Sequence, residues 1–130
     1  MATTIRQVNR FKASPQRLYA IFMDSRKHAA FTANGAARIS RKEGGKFFCH
    51  GGWIGGRHIE LKPGKRIVQA WRARNWPPGV YSLVSFTFAR VRGGTRLTLE
   101  HTGIPGRHAG HLRRGWKARY WQPLRAYLAK

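Results

Sequence analysis

The first dozen residues are rich in β-branched and apolar side chains, and although their alternation is not clean they predict a strand over residues 2–12. Ser14-Pro15 then reads as a helix start, serine as N-cap and proline at the first helical position. Leu18, Ile21 and Phe22 give that helix an apolar stripe, ending near Asp24. A shorter helical piece, Ser25 to Phe31, follows, and Asn34-Gly35 marks a turn. From there to Pro105 the period drops to two. ARIS (37–40), KFFC after Gly44-Gly45, RHIEL (57–61), RIVQAWRA (66–73), YSLVSFTFARV (81–91) and TRLTLEH (95–101) read as strands. GGWIGG (51–56) reads as a hairpin region, and KPGK (62–65), NWPPG (75–79) and Gly93-Gly94 as the connections. The pattern is an antiparallel meander.

Alternation shows which side is buried. Leu97, Leu99 and His101 share one face, opposite Arg96, Thr98 and Glu100. Val84, Phe86 and Phe88 share a face, as do Ile67, Gln69 and Trp71. The sheet therefore has an apolar side that needs a cover. The long segment after Gly103-Ile104-Pro105 supplies it, with Leu112, Trp116, Tyr120, Leu124 and Tyr127 recurring at helical spacing. Pro123 inside this helix predicts a kink or a lost hydrogen bond. The expected class is α+β: one antiparallel sheet packed on a long C-terminal helix, a single domain over residues 1–130.

Charge changes the picture of the exterior only. The chain carries 26 Lys plus Arg against four acids, Asp24, Glu43, Glu60 and Glu100, a formal net charge of +22. The bases run six, five, six and nine over residues 1–30, 31–60, 61–90 and 91–130. This even spread is a whole-surface property rather than a tail or a single stripe. Such a surface attracts polyanions: nucleic acid without sequence preference, or acidic and negatively supercharged proteins. Arg41, Lys42, Arg96, Arg113, Arg114, Lys117 and Arg125 are the candidate contacts. One cysteine excludes an intramolecular disulfide and fits a reducing compartment. With no apolar leader and no membrane-length run, the sequence reads as soluble and cytoplasmic.

The candidate chemistry is sparse. A paired-carboxylate mechanism lacks supply. Cys49 and His50 are neighbours on an expected strand, where side chains point to opposite faces, so a thiol–imidazole dyad is disfavoured and Cys49 reads as core. His108 and His111 stand three apart near the helix start, a metal-compatible spacing without a third ligand. His101 lies on the apolar face, either as a satisfied core histidine or as a polar handle in a cavity. The glycine pairs match no phosphate loop and read as turns and bulges. Trp53, Trp71, Trp76, Trp116 and Trp121 could stack on bases, but periodicity assigns the sheet aromatics to the core.

The run GGWIGGRHIELKPGKRIVQAWRARNWPPGVYSLVSFTF, then GGTRLTLEHTGIP, then GWKARYWQPLRAYL, resembles the C-terminal domain of the activators of the 90-kDa heat-shock chaperone ATPase and their stand-alone bacterial homologues. FKASPQRLYAIFMDSRKHAAFT and ISRKEGGKFFCHGG fit as well, so the resemblance covers nearly the full chain. It implies a START-like helix-grip fold, a curved sheet wrapped around the long helix, with an internal cavity for an apolar small molecule. Gln69, Trp71, Phe86, Phe88, Leu99, His101, Trp116 and Tyr120 are the expected lining. The separate N-terminal domain of the co-chaperone has no counterpart in these residues, so ATPase activation does not come over with the resemblance. The departure is charge: at Gln16-Arg17 family members usually carry acids, which the helix dipole favours. A family core under an exterior stripped of acids reads as a positively supercharged, engineered variant, with a naturally basic member as the other reading. The functional expectation is a non-enzymatic, cofactor-free binding domain that meets polyanions electrostatically and keeps its cavity. The alternatives are a natural chaperone-linked interaction domain, or a small-molecule enzyme using His101.

Overall fold

The computed structural model describes residues 2–130, and its elements are those the hydrophobic pattern asks for. Strand β1 (Ala2–Phe11) is followed by helices α1 (Pro15–Met23) and α2 (Ser25–Thr32). Both helices start on side-chain caps: Ser14 Oγ accepts from the Arg17 amide at 3.1 Å, and Asp24 Oδ1 from the Lys27 amide at 2.9 Å. Ala33, in the left-handed region at φ 50°, closes α2. Strands β2 (Arg38–Ile39), β3 (Lys46–Cys49), β4 (Ile54–Lys62), β5 (Arg66–Ala73), β6 (Ser82–Val91) and β7 (Gly94–Pro105) follow. The sheet is antiparallel, in the order β1-β7-β6-β5-β4-β3-β2. The meander closes by laying the first strand beside the last, which curves the sheet.

Two connections differ from the expectation. GGWIGG is not all turn. His50–Gly52 is a single 3-10 turn, while Gly55 and Gly56 lie inside β4 opposite Phe48 and Phe47. A Cβ on Gly56 would overlap the Ala70 carbonyl, so that glycine is required by a close backbone approach. Strand β7 also runs four residues past His101, to Pro105, because β1 pairs with it to its end.

The C-terminal helix lies in the concave face. It comprises α3 (Ala109–Trp116), a π-helical turn at Lys117–Trp121, and α4 (Gln122–Leu128). Pro123 has no amide hydrogen, so the ordinary ladder cannot continue through it; the Gln122 amide instead reaches back to the Lys117 carbonyl. In this turn the consecutive residues Tyr120 and Trp121 both lie in the interior. Leu124 is fully buried beneath them, with Leu18, Val84, Leu97, Leu99 and Ile104. The concave side of the sheet is thus the core, as alternation predicts. Every Lys and Arg except the half-buried Arg72 is exposed. No helix among the described residues is long and apolar enough to cross a membrane.

Candidate functional site

A cleft of about 420 Å³ opens between the helix and one end of the sheet. Ile54, Trp71 and Ala73 form its sheet wall, and Leu112, Gly115, Trp116 and Tyr120 its helix wall. Trp53 and Trp76 flank the opening from the loops after β3 and β5, and Asn34, His50, Asn75, His108, His111 and Arg119 supply the polar groups. The walls are aromatic because Trp71 packs against Trp76 and Trp116, at centroid separations of 5.6 and 5.9 Å, and Trp116 against Tyr120 at 4.6 Å. The volume falls in the range of clefts that hold small molecules, with apolar walls and a few convergent polar groups.

The cleft ends on a buried polar relay. Tyr120 Oη lies 3.0 Å from His28 Nε2, 3.2 Å from His50 Nε2 and 3.7 Å from Cys49 Sγ. Asn34 Nδ2 stands 3.0 Å from His50 Nδ1. An amide nitrogen only donates, so it fixes His50 Nδ1 as acceptor and leaves Nε2–H to donate to Tyr120. The tyrosine hydroxyl then donates to His28 Nε2. The chain ends at His28 Nδ1, buried without a partner beside Phe22 and Phe31. Burial drives these groups toward neutrality. His28 is lowered to about 3 by desolvation and then the His50 charge; His50 is lowered to about 4 by desolvation and then Arg119. Burial pushes the Cys49 thiol up to about 12 and Tyr120 well above its ordinary value. At neutral pH the relay is a set of oriented, uncharged donors and acceptors.

Alternation misjudged Cys49 and His50. The strand stops at Cys49, and His50 adopts the left-handed region at φ 53°, so both side chains turn toward the same tyrosine hydroxyl. Cys49 remains core, as read, with 2% exposure. The signal lay in the Gly51-Gly52 that follows, which ends a strand rather than continuing it.

The expected cavity lining divides. Trp71, Trp116 and Tyr120 line the cleft. Gln69 and Phe86 border a separate void of about 20 Å³ behind Tyr120, enough for one water. Phe88, Leu99 and His101 line neither. Phe88 packs on Tyr19 and Phe22, and Leu99 is fully buried. His101 is a satisfied core histidine. Trp116 Nε1 donates to its Nδ1 at 3.1 Å, its Nε2 meets Ser82 Oγ at 2.7 Å, and Ser82 Oγ donates to the Trp71 carbonyl at 3.0 Å. Indole only donates, so Nδ1 must accept and Nε2 must carry the proton. Both nitrogens are occupied and desolvation lowers the group to about 3, leaving no free face for the catalytic use considered from the sequence.

The cations chosen as polyanion contacts do not converge. Arg113, Arg114, Lys117 and Arg125 stand on the outer side of the helix, with Arg125 over the Phe11 ring at 4.6 Å and Arg113 reaching the Thr4 carbonyl at 3.4 Å. Arg41 pairs with Asp24 at 3.4 Å beside Lys42 in the β2–β3 turn, and Arg96 lies on β7 between Arg10 and Ala89. His108 and His111 both line the cleft, His108 beside Trp76, and no group of three metal-ligating side chains forms among the described residues. Of the five tryptophans only Trp53 is substantially exposed.

Comparison with known proteins follows the same lines. The family model described as Activator of Hsp90 ATPase homolog 1-like protein matches residues 12–129. The chain is 34% identical over 115 residues to a human protein named Activator of 90 kDa heat shock protein ATPase homolog 1, covering 88% of this chain and 34% of that one. It is 39% identical over 116 residues to a Dictyostelium discoideum activator homologue, covering 88% of this chain and 30% of the other. The chain therefore spans about a third of the length of these curated relatives. A solved HSP90 activator from Plasmodium falciparum superposes with a TM-score of 0.90 at 24% identity, covering 97% of this chain and 96% of that one. At that identity the likeness concerns the fold.

Proposed function

Because the chain belongs to the Activator of Hsp90 ATPase homolog 1-like family, we propose that it is a non-enzymatic binding domain that docks electrostatically on an acidic face of a 90-kDa heat-shock ATPase. The partner is the one named in its relatives. The observation that carries the docking mode is the exterior: basic side chains are exposed on every strand and α-helix, and only two meet a carboxylate among the described residues, Arg41 with Asp24 and Arg66 with Glu60. Such a surface steers toward any polyanion, and it selects an acidic protein face by potential before contact is made. Titration of a 90-kDa heat-shock protein tests it. Saturable binding that weakens steeply with salt is expected; absence of binding at low salt refutes it. We attribute the charge itself to a recharged, engineered exterior on a core of the family's type. A relative with this core and ordinary acid content supports that origin, and a set of equally basic natural relatives refutes it.

The cleft favours a second binding role. Its aromatic walls and the Asn34–His50–Tyr120 relay suit a flat apolar molecule with one hydrogen-bonding head group. Gly115 lines the cleft, and a Cβ there would meet nothing within 4 Å. Gly115→Leu puts a side chain into that space. Quenching of tryptophan fluorescence by anilinonaphthalene sulfonate should be present in the parent and lost in this variant; equal quenching in both refutes a cleft ligand.

A further inference from the structure

We infer that the outer face of the sheet, where β2 to β5 meet Tyr81, is a stacking track for single-stranded nucleic acid. This stands independently of the chaperone reading. Two adjoining depressions of about 480 and 280 Å³ share Gly56 and Tyr81. The first is bordered by Arg38, Lys46 and Arg57 with Phe48; the second by Arg72 and Arg74 with Trp53. Neither lining contains an acid among the described residues.

Three features set this patch apart from a merely basic surface. First, it carries the exposed aromatics that the concave face lacks, Trp53 at 45% and Tyr81 at 53% exposure. Large apolar rings left open beside cations are the components of sequence-tolerant base stacking and backbone tracking. Secondly, Lys46 sits directly opposite Arg57, a like-charge cross-strand pair that costs stability unless an anion lies over it. Like-charge cross-strand pairs also occur at Arg10–Arg96 and Lys62–Arg66, but the pair in this patch borders a depression that also holds an exposed aromatic ring. Arg72 is held by the Trp76 and Pro77 carbonyls at 2.7 and 3.2 Å, and its guanidinium lies 5.8 Å from the Tyr81 ring centroid. Thirdly, the floor is open for no structural reason. Gly56 is required by the backbone, but Gly55 is not: its φ is not positive, and a Cβ there would make only ordinary contacts, at 3.4 Å to the Phe47 carbonyl and 4.0 Å to Phe48 Cβ. A glycine inside a strand weakens it, and its consequence here is a bare floor between Phe48 and Arg72.

The arrangement places phosphates over the arginines and bases against Tyr81 and Trp53. A duplex, whose bases are already stacked, gains only the charge. Fluorescence anisotropy with labelled oligothymidylate at physiological salt tests the assignment. Tyr81→Ala and Trp53→Ala should each weaken binding about 5- to 150-fold, the range for loss of one stacked base. Gly55→Val should weaken it comparably while thermal melts stay unchanged or rise. Arg17→Gln on α1 and Arg26→Gln on α2, exposed and away from the sheet's outer face, should change it little. The assignment is overturned if the aromatic and glycine variants bind like the parent. It is likewise overturned if the remote arginines matter as much, if duplex of equal length binds as tightly, or if polyglutamate competes as well as the oligonucleotide.

Discussion

Acid should unfold this protein at a pH where proteins of ordinary composition are stable, and histidines rather than carboxylates should be the cause. His28 and His101 are buried and held near 3, and His50 near 4, against an ordinary value of about 6.5. As pH falls through about 6.5 the unfolded chain takes up protons that the folded chain refuses. Stability therefore declines from that point and levels off only near the folded-state values. A refused proton costs about 1.4 kcal/mol per pH unit once the unfolded group titrates, so at about pH 5 each histidine has removed about 2 kcal/mol. His28 and His101 together remove about 4 kcal/mol, and His50 adds up to a similar single share. Domains are stable by about 5–15 kcal/mol, so a large part is gone by then. Tm should fall by roughly 10–20 °C between about pH 7.5 and pH 5. Asp24, lowered chiefly by the Lys27 amide, titrates in a more acidic window and cannot produce this loss. Urea titrations followed by circular dichroism across this range give the free energy directly. His101→Gln should start less stable at neutral pH yet show a shallower acid slope, by about one proton. A parent stability that is flat from neutrality to pH 5, or a variant with the parent's slope, refutes the reasoning.

Other outcomes follow from single contacts. Tyr120→Phe removes the hydroxyl shared by His28 and His50 and should cost about 1–3 kcal/mol in denaturant titrations, because the partners stay buried. Gly56→Ala drives a methyl into the Ala70 carbonyl and should lower the melting temperature far more than Gly55→Ala, its neighbour in β4. Leu124→Ala, at a position with no exposure, should cost about 2–5 kcal/mol by equilibrium unfolding. Gly115→Ala, in a helix interior with open space around its Cβ, should raise stability by about 1 kcal/mol.

The periodicities that located the strands and helices rest on steric rules that tertiary contacts reinforce, so Leu97-x-Leu99-x-His101 and Leu112–Trp116–Tyr120–Leu124 were legible. The site was less so, because its members sit where a period is broken. His50 belongs to a left-handed turn at the end of β3, not to the strand. Trp121, which the stripe read from the sequence leaves out, is buried in the π turn ahead of Pro123. His28 reads as a polar residue of a short helix, and nothing local announces that its ring will meet Tyr120, ninety-two residues away in sequence. Pro123 and Gly51-Gly52 were the available signals, and each says only that regularity stops. Where the chain goes next is decided by the sheet against which it packs.

That separation also explains how so large a charge is borne. Since every Lys and Arg except Arg72 is exposed, changing their number alters the field around the molecule without disturbing the packing of Leu18, Leu99 or Leu124. The interior polar groups are arranged the opposite way. The chain from Trp116 through His101 and Ser82 to the Trp71 carbonyl is complete only while His101 is neutral, because a second ring proton would face the indole N–H donor to donor. Burial holds His101 neutral, while at His50 the neighbouring Arg119 adds to burial, since a nearby cation disfavours a further one. The surface charge and the buried relay are therefore coupled at His50. Adding salt, which screens the exterior, should ease protonation of the interior and of the unfolded chain alike, but more in the chain, where the histidines are solvated and close to the screened charges. High salt should accordingly move the onset of the acid loss to higher pH while its slope stays bounded by one proton per histidine, and an onset independent of salt would separate the two layers completely.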